Sequence, residues 1–278
     1  MTEDRGQGKR SRFALFLDFD GTLAPIAPHP DLVHLGPHEL DLLDSLGRLL
    51  PLFVISGRAF PDILRRLPVS SLAGLSGDHG AVRRFREKHT VHPEALRARD
   101  SLAAWVPDLR KVTDPVPGTV TEIKEYSLSV HYRGVEPERV PRLSEEIERL
   151  FEDWEERTRF RFYHGKMVWE VRPAGGVTKE ETMDFFLEHL AREAGVEPRD
   201  FFPVMVGDDT TDLGAVNHAV HLGGLGYWVG NPPPGLDPGA GRLRNTDSVW
   251  DLLKGLNVAL ETGKNPLEVL TRPLTTRE

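Results

Sequence analysis

The sequence predicts an α/β fold: a Rossmann-like parallel sheet interrupted by an inserted α+β segment. Three observations predict it. Short, continuous apolar runs alternate with amphipathic helical stretches in the first ninety and last hundred or so residues. Each run stops at a polar loop, most of them containing glycine, as strands buried on both faces do. Between residues 93 and 174 the texture changes to alternating strands and an acidic helix.

Phe13 to Leu17 is the first buried strand and gives way to Asp18-Phe19-Asp20-Gly21-Thr22. Leu40, Leu43, Leu46 and Leu50 recur at helical spacing across His38 to Leu50, and Pro51 to Ile55 is a second strand stopped by Ser56-Gly57-Arg58. Phe60 to Leu67 reads as a helix with Pro61 near its start and Pro68 beyond its end. Leu72 to Leu75, before Ser76-Gly77-Asp78-His79-Gly80, completes the first parallel unit.

In the insert, Leu96 to Val112 is helical, Val120 to Lys124 and Ser127 to Tyr132 are strands, and Val140 to Trp154 is an acidic amphipathic helix. Arg159 to Tyr163 and Met167 to Val171 form a hairpin pair. After Arg172-Pro173-Ala174-Gly175-Gly176 the earlier pattern resumes, with a helix at Lys179 to Ala194 and strands at Pro203 to Val206 and Tyr227 to Val229. Arg244 to Leu256 closes the fold, and Glu261 to Glu278 is assigned to no element. The polar, basic Met1 to Arg12 is read as a flexible tail, residues 1–12, and as neither a signal peptide nor a membrane anchor.

Composition narrows the function classes. With 35 Lys and Arg against 43 Asp and Glu in 278 residues, the net charge of −8 repels polyanions, so nucleic acid is not an expected partner. No apolar run reaches the roughly 18 residues that a membrane helix needs, so no membrane is expected either. The absence of cysteine excludes disulfides and thiolate metal sites and fits a cytoplasmic location.

The chemistry concentrates at strand ends. Residues i and i+2 of a strand point the same way, so Asp18 and Asp20 are expected to bring two carboxylates together at the sheet's carboxyl edge. Like charges so close call for a cation. Three further carboxylates follow another buried strand in Gly207-Asp208-Asp209-Thr210-Thr211-Asp212. Oxygen ligands without His or Cys favour Mg2+. Lys179 follows Thr178, a good N-cap, and so falls in a first helical turn where backbone N–H groups favour an anion.

Taken in order, Asp18-Phe19-Asp20-Gly21-Thr22-Leu23, then Ser56, then Lys179, then Gly207-Asp208-Asp209 with Asp212 resemble the four motifs of the haloacid dehalogenase superfamily phosphatases. The resemblance implies a Rossmann-like haloacid dehalogenase core over 13–92 and 175–278, with an α+β cap over 93–174. It further implies that Asp18 is a nucleophile forming an aspartyl-phosphate, and that Asp20 is the acid that protonates the leaving alcohol and then activates water. Asp18, Asp20 and Asp208 would hold Mg2+, while Ser56 and Lys179 engage phosphate. Asp209 and Asp212 would bind the metal through water or orient Lys179. Leu213-Gly214 departs from the pattern, which has an acidic pair there.

Within the insert, Glu122-Ile123-Lys124-Glu125-Tyr126-Ser127, His131-Tyr132-Arg133 and Gly165-Lys166 before Val168-Trp169-Glu170-Val171-Arg172-Pro173 resemble the trehalose-6-phosphate phosphatases, as does Gly77-Asp78-His79-Gly80-Ala81. Caps of that family present two glutamates and a lysine to sugar hydroxyls, positions that correspond to Glu122, Lys124 and Glu170. Arg58 and His79 join them as expected substrate-binding residues, His79 touching phosphate or sugar or else capping a turn. Arg133 and Arg172 are expected to neutralise anions or to pair with the acidic helix. The expected partner is a sugar phosphate, with trehalose 6-phosphate first and sucrose 6-phosphate or glucosyl- and mannosyl-3-phosphoglycerate as alternatives. A phosphomutase and a non-catalytic sugar-phosphate sensor on the same fold are further readings. The expected state is a monomer or weak homodimer.

Overall fold

The computed structural model describes residues 12–27, 30–165, 167–175 and 177–271. The expected tail therefore lies outside the described residues except for Arg12, which begins the first strand, and Lys166 also lies outside them.

The chain runs β1 (Arg12–Leu17), α1 (Pro37–Leu49), β2 (Leu52–Ile55), α2 (Phe60–Arg66), β3 (Gly74–Gly77), β4 (Val82–Phe85) and β5 (Lys88–Val91). The insert follows as α3 (Pro93–Thr113), β6 (Val120–Ile123), β7 (Leu128–His131), α4 (Val140–Asp153), β8 (Phe160–Gly165) and β9 (Val168–Pro173). The last stretch is α5 (Lys179–Ala194), β10 (Phe201–Gly207), α6 (Leu213–His221), β11 (Leu225–Val229), β12 (Gly241–Leu243), α7 (Thr246–Glu261) and α8 (Pro266–Leu270).

The large sheet has the order β12-β11-β10-β1-β2-β3-β4-β5. Its first six strands are parallel, and β4 and β5 add an antiparallel hairpin at one edge. The central strands are buried on both faces because helices cover both, which is why they read as unbroken apolar runs. On one face Phe16 stacks on Phe53 at 4.8 Å and Phe53 on Phe186 of α5 at 4.6 Å. Each such pair adds about 0.5–1.5 kcal/mol beyond its buried area. That packing fixes α5 against the sheet and so sets the position of its first residue, Lys179.

The insert forms its own antiparallel sheet in the order β6-β7-β9-β8. Helices α3 and α4 cover one face through Leu102, Trp105, Leu109, Leu143 and Ile147. Pairing of β6 with β7 and β7 with β9 places Glu122 opposite Ser129 and Ser129 opposite Glu170. The two glutamates are thereby set on one face of the small sheet by register, two strands apart. Among the described residues no helix is long and apolar enough to cross a membrane.

Candidate active site

Strand β1 ends at Leu17, and Asp18 is tied to the neighbouring strand by its N–H to the Val206 carbonyl at 3.0 Å. Because Asp18 already lies past the strand, the two-residue alternation expected to bring Asp18 and Asp20 together does not extend to Asp20. Asp20 sits in a tight turn, and its carboxylate accepts two hydrogen bonds from Arg58, from Nε and Nη2, both at 2.6 Å. Among the described residues the carboxylates that converge are Asp18, Asp208 and Asp212, whose oxygens lie within 4.8 Å of one another, while the Asp20 side chain pairs with Arg58.

Gly21 makes that convergence possible. Its φ of +87° suits glycine, and a Cβ there would lie 2.2 to 2.4 Å from the Asp208 carboxylate. Lys179, buried at the start of α5 behind the Thr178 N-cap, donates to Asp18 Oδ1 at 2.6 Å and to Asp212 Oδ1 at 2.5 Å. The other oxygen of Asp212 accepts from the main-chain N–H groups of Asp208 and Asp209 at 3.2 and 3.0 Å. Asp212 thus orients Lys179 and folds the loop that carries Asp208, one of the two roles expected for it, while sharing the carboxylate cluster.

Asp18 and Asp212 share the Lys179 ammonium beside Asp208. Burial and the neighbouring Asp212 push the Asp18 carboxyl well up, and Lys179 offsets them only in part. Asp18 and Asp212 conversely drive the Lys179 ammonium up against its burial. The donor set fits a hard divalent cation: all oxygen and closely spaced. Asp209 Oδ1 is also buried without a hydrogen-bond partner among the described residues.

Ser56 follows β2, is buried, and its Oγ accepts from the Arg58 N–H at 3.1 Å, which leaves its hydroxyl hydrogen to donate. Beside it, Asp78 and His79 both adopt left-handed backbone, φ +50° and +56°, a conformation costing about 1–3 kcal/mol per non-glycine residue that persists only where surroundings impose it. Here the surroundings do so. The Asp78 N–H donates to the Arg58 carbonyl at 2.7 Å, the His79 N–H to the Ser56 carbonyl at 3.0 Å, and Asp78 Oδ2 accepts from the Phe60 N–H at 3.1 Å.

The insert reaches this loop directly. Lys124 Nζ donates to the Gly57 carbonyl at 2.9 Å and lies 3.9 Å from Glu122, which also bonds His131 at 3.2 Å. Burial acts against the Glu122 charge, but the His131 bond and Lys124 outweigh it and hold the carboxyl low. Glu170 accepts from Ser129 Oγ at 3.2 Å and pairs with Arg172 Nη2 at 3.1 Å. Burial, with Arg172 beside it, lowers His79 to about 3, so His79 is neutral and donates its Nε2 proton to Glu170 at 3.2 Å. Against its burial, Glu170 is held well below the usual range by its pairing with His79, first through charge and then through that bond, and by Arg172 and Lys124.

Neither arginine does what was expected of it with the acidic helix. Arg172 pairs with Glu170 and lies over the Tyr163 ring at 3.9 Å, and Arg133 donates to the Ala27 carbonyl at 2.7 Å. Residues that the sequence did not single out line a cleft of about 390 Å³ bordered by Lys179, among them Tyr163, His164, Thr210 and Thr211. The two threonines lie within the Asp208 to Asp212 loop, and that adjacency was the available signal.

Residues 16–220 match the family model for trehalose-phosphatase. The chain belongs to the trehalose-phosphatase family. Among members of that family, a trehalose-phosphate phosphatase of Mycobacterium tuberculosis (strain H37Rv) is 32% identical over 206 residues, 72% of this chain and 49% of that protein. One from Mycobacterium leprae is 29% identical over 223 residues, 76% of this chain and again 49% of the relative. The chain thus spans about half the length of the curated relatives it matches. The fold is likewise that of solved haloacid dehalogenase phosphatases. The C-terminal domain of the Candida albicans trehalose-6-phosphate phosphatase superposes with a TM-score of 0.74 at 23% identity, covering 91% of this chain and 94% of that one. The sucrose-phosphatase of Synechocystis, solved with sucrose and phosphate, gives 0.52 at 14% identity over 88% and 97%.

Proposed function

We propose that this protein hydrolyses trehalose 6-phosphate to trehalose and inorganic phosphate, with Mg2+, through an aspartyl-phosphate on Asp18. The observation that carries the reading is the buried Lys179 bridging Asp18 and Asp212 beside Asp208, at the sheet edge to which Lys124 and Glu170 of the insert reach. The names of the relatives support the same substrate.

In the first step an oxygen of Asp18 attacks phosphorus and the ester bond to the sugar oxygen breaks. Asp20, its direction fixed by Arg58, gives that oxygen a proton. In the second step Asp20 takes a proton from water as the water oxygen attacks phosphorus, and the bond to Asp18 breaks to free phosphate. Ser56 donates to a phosphate oxygen, and Lys179 offsets the charge that builds as two anions meet. Held by Asp18, Asp208 and Asp212, a divalent cation would supply the remaining positive charge that keeps Asp18 ionised against phosphate. The insert acts as a cap, with Glu122, Lys124 and Glu170 binding sugar hydroxyls and closure excluding bulk water.

The test is phosphate release, with Mg2+ and with chelator, from trehalose 6-phosphate, sucrose 6-phosphate, glucosyl-3-phosphoglycerate, glucose 6-phosphate and p-nitrophenyl phosphate. A strong Mg2+-dependent preference for trehalose 6-phosphate is expected. Preference for another ester would overturn the substrate, and no release from any would overturn the phosphatase reading.

A further inference from the structure

The Asp78–His79 turn sits between the two halves of the proposed chemistry, and no role in the reaction so far uses its bonds. On one side it braces the loop from Ser56 to Phe60 through three main-chain bonds or caps: Asp78 N–H to Arg58, His79 N–H to Ser56, and Phe60 N–H to the Asp78 carboxylate. The His79 ring also lies flush on Gly57, where an added Cβ would come within 2.3 Å of it. That loop carries Ser56 and, through Arg58, holds Asp20. On the other side His79 bonds Glu170 at 3.2 Å, Asp78 Oδ1 faces Ser127 Oγ at 3.5 Å, and Lys124 bonds the Gly57 carbonyl that the His79 ring packs beside. Sugar-reading residues of the insert and phosphate-handling residues of the sheet edge therefore meet on two consecutive residues whose left-handed backbone is imposed by both.

We propose that Asp78 and His79 are positioning residues that couple sugar contact at Lys124 and Glu170 to the placement of Ser56, Arg58 and Asp20. The proposal rests on the phosphatase reading above. A substrate that engages Lys124 and Glu170 fixes the turn, and the turn fixes the loop, so the correct sugar raises turnover as well as affinity. An ester without the sugar leaves the relay idle.

The test compares kcat and KM for trehalose 6-phosphate and p-nitrophenyl phosphate in wild type and His79→Asn, a side chain that tolerates left-handed backbone. The expected result is a fall in kcat for the disaccharide phosphate about tenfold larger than for p-nitrophenyl phosphate, with KM for the disaccharide little changed. Equal losses on both esters would make the turn merely structural, and a loss confined to KM would make His79 only a sugar ligand; either overturns the coupling. Ser127→Ala, which loosens the turn from the insert's side and leaves the core loop intact, should give the same pattern at about threefold, and equal losses there would overturn it too. A wild type that releases phosphate from neither ester would overturn the phosphatase reading and the coupling with it, and differs from the other results in that the unmutated protein is already silent.

Discussion

Asp18 at the edge of the large sheet and Glu170 on the small one are both buried carboxylates, yet they are neutralised in opposite ways. Asp18 is pushed up by its burial and by Asp212 and Asp208 beside it, which the ammonium it shares with Asp212 offsets only in part. Glu170 is hydrogen-bonded to Ser129 and His79 and ion-paired with Arg172, and is held down. The first site gathers oxygen ligands around one shared ammonium, an arrangement that suits a divalent cation. The second is satisfied by the protein and is built to present a fixed acceptor.

The contrast breaks most sharply at Asp18. Asp18→Asn keeps the shape and removes the nucleophile, and phosphate release should fall by at least ~10³-fold with an unchanged circular dichroism spectrum; retained activity would place the nucleophile elsewhere. Lys179→Met removes the ammonium that Asp18 and Asp212 share, and in chelator should cost ~3–5 kcal/mol of stability, partly restored by Mg2+ in a thermal melt. A change below ~1 kcal/mol, or no response to Mg2+, would count against this reading of the cluster.

On the insert, Glu122→Ala, Lys124→Ala and Glu170→Gln should lower kcat/KM for the disaccharide phosphate by ~10–100-fold and for p-nitrophenyl phosphate much less. Equal losses on the two esters would remove these residues from sugar recognition. A further effect is on pH. His79 is depressed from 6.5 to about 3, so the unfolded chain takes a proton below 6.5 that the folded protein refuses until about 3. His79 therefore costs stability as pH falls through that window, with a slope of ~1.4 kcal/mol per pH unit. Denaturation of wild type and His79→Asn from pH 7 to 4 should differ by that slope, and parallel profiles would mean that His79 is not buried neutral.

What the sequence made legible follows the same division. The parallel strands β1, β2, β10 and β11 are largely buried and so carry a clear apolar signal, whereas β3, Gly-Leu-Ser-Gly, carries little and lies two residues later than the Leu72 to Leu75 run suggested. The hairpin β4–β5 stayed hidden because its edge strand is exposed, its residues are largely charged, and its turn places Arg86 at φ +52° without the glycine or asparagine that marks such turns. Helix α6 is only nine residues long, too short for periodicity to stand out. The direction of the Asp20 side chain was hidden for a similar reason. Alternation holds only while the strand lasts, and a partner 38 residues away, Arg58, decides where the carboxylate goes. Glu122, Lys124 and Glu170 were visible as types, whereas their environments depend on cross-strand register and on the Asp78–His79 turn.

The division of labour between Asp18 and Asp20 is tested most directly by following p-nitrophenyl phosphate with Asp20→Asn on the millisecond to second scale. Nitrophenolate is a leaving group that needs no acid, so the first step should survive while the water step is slowed. The expected result is a burst of about one nitrophenolate per enzyme and, in acid-quenched protein, a hydroxylamine-sensitive phosphate on the peptide containing Asp18. Linear release without a burst, or phosphate on any other residue, would contradict it.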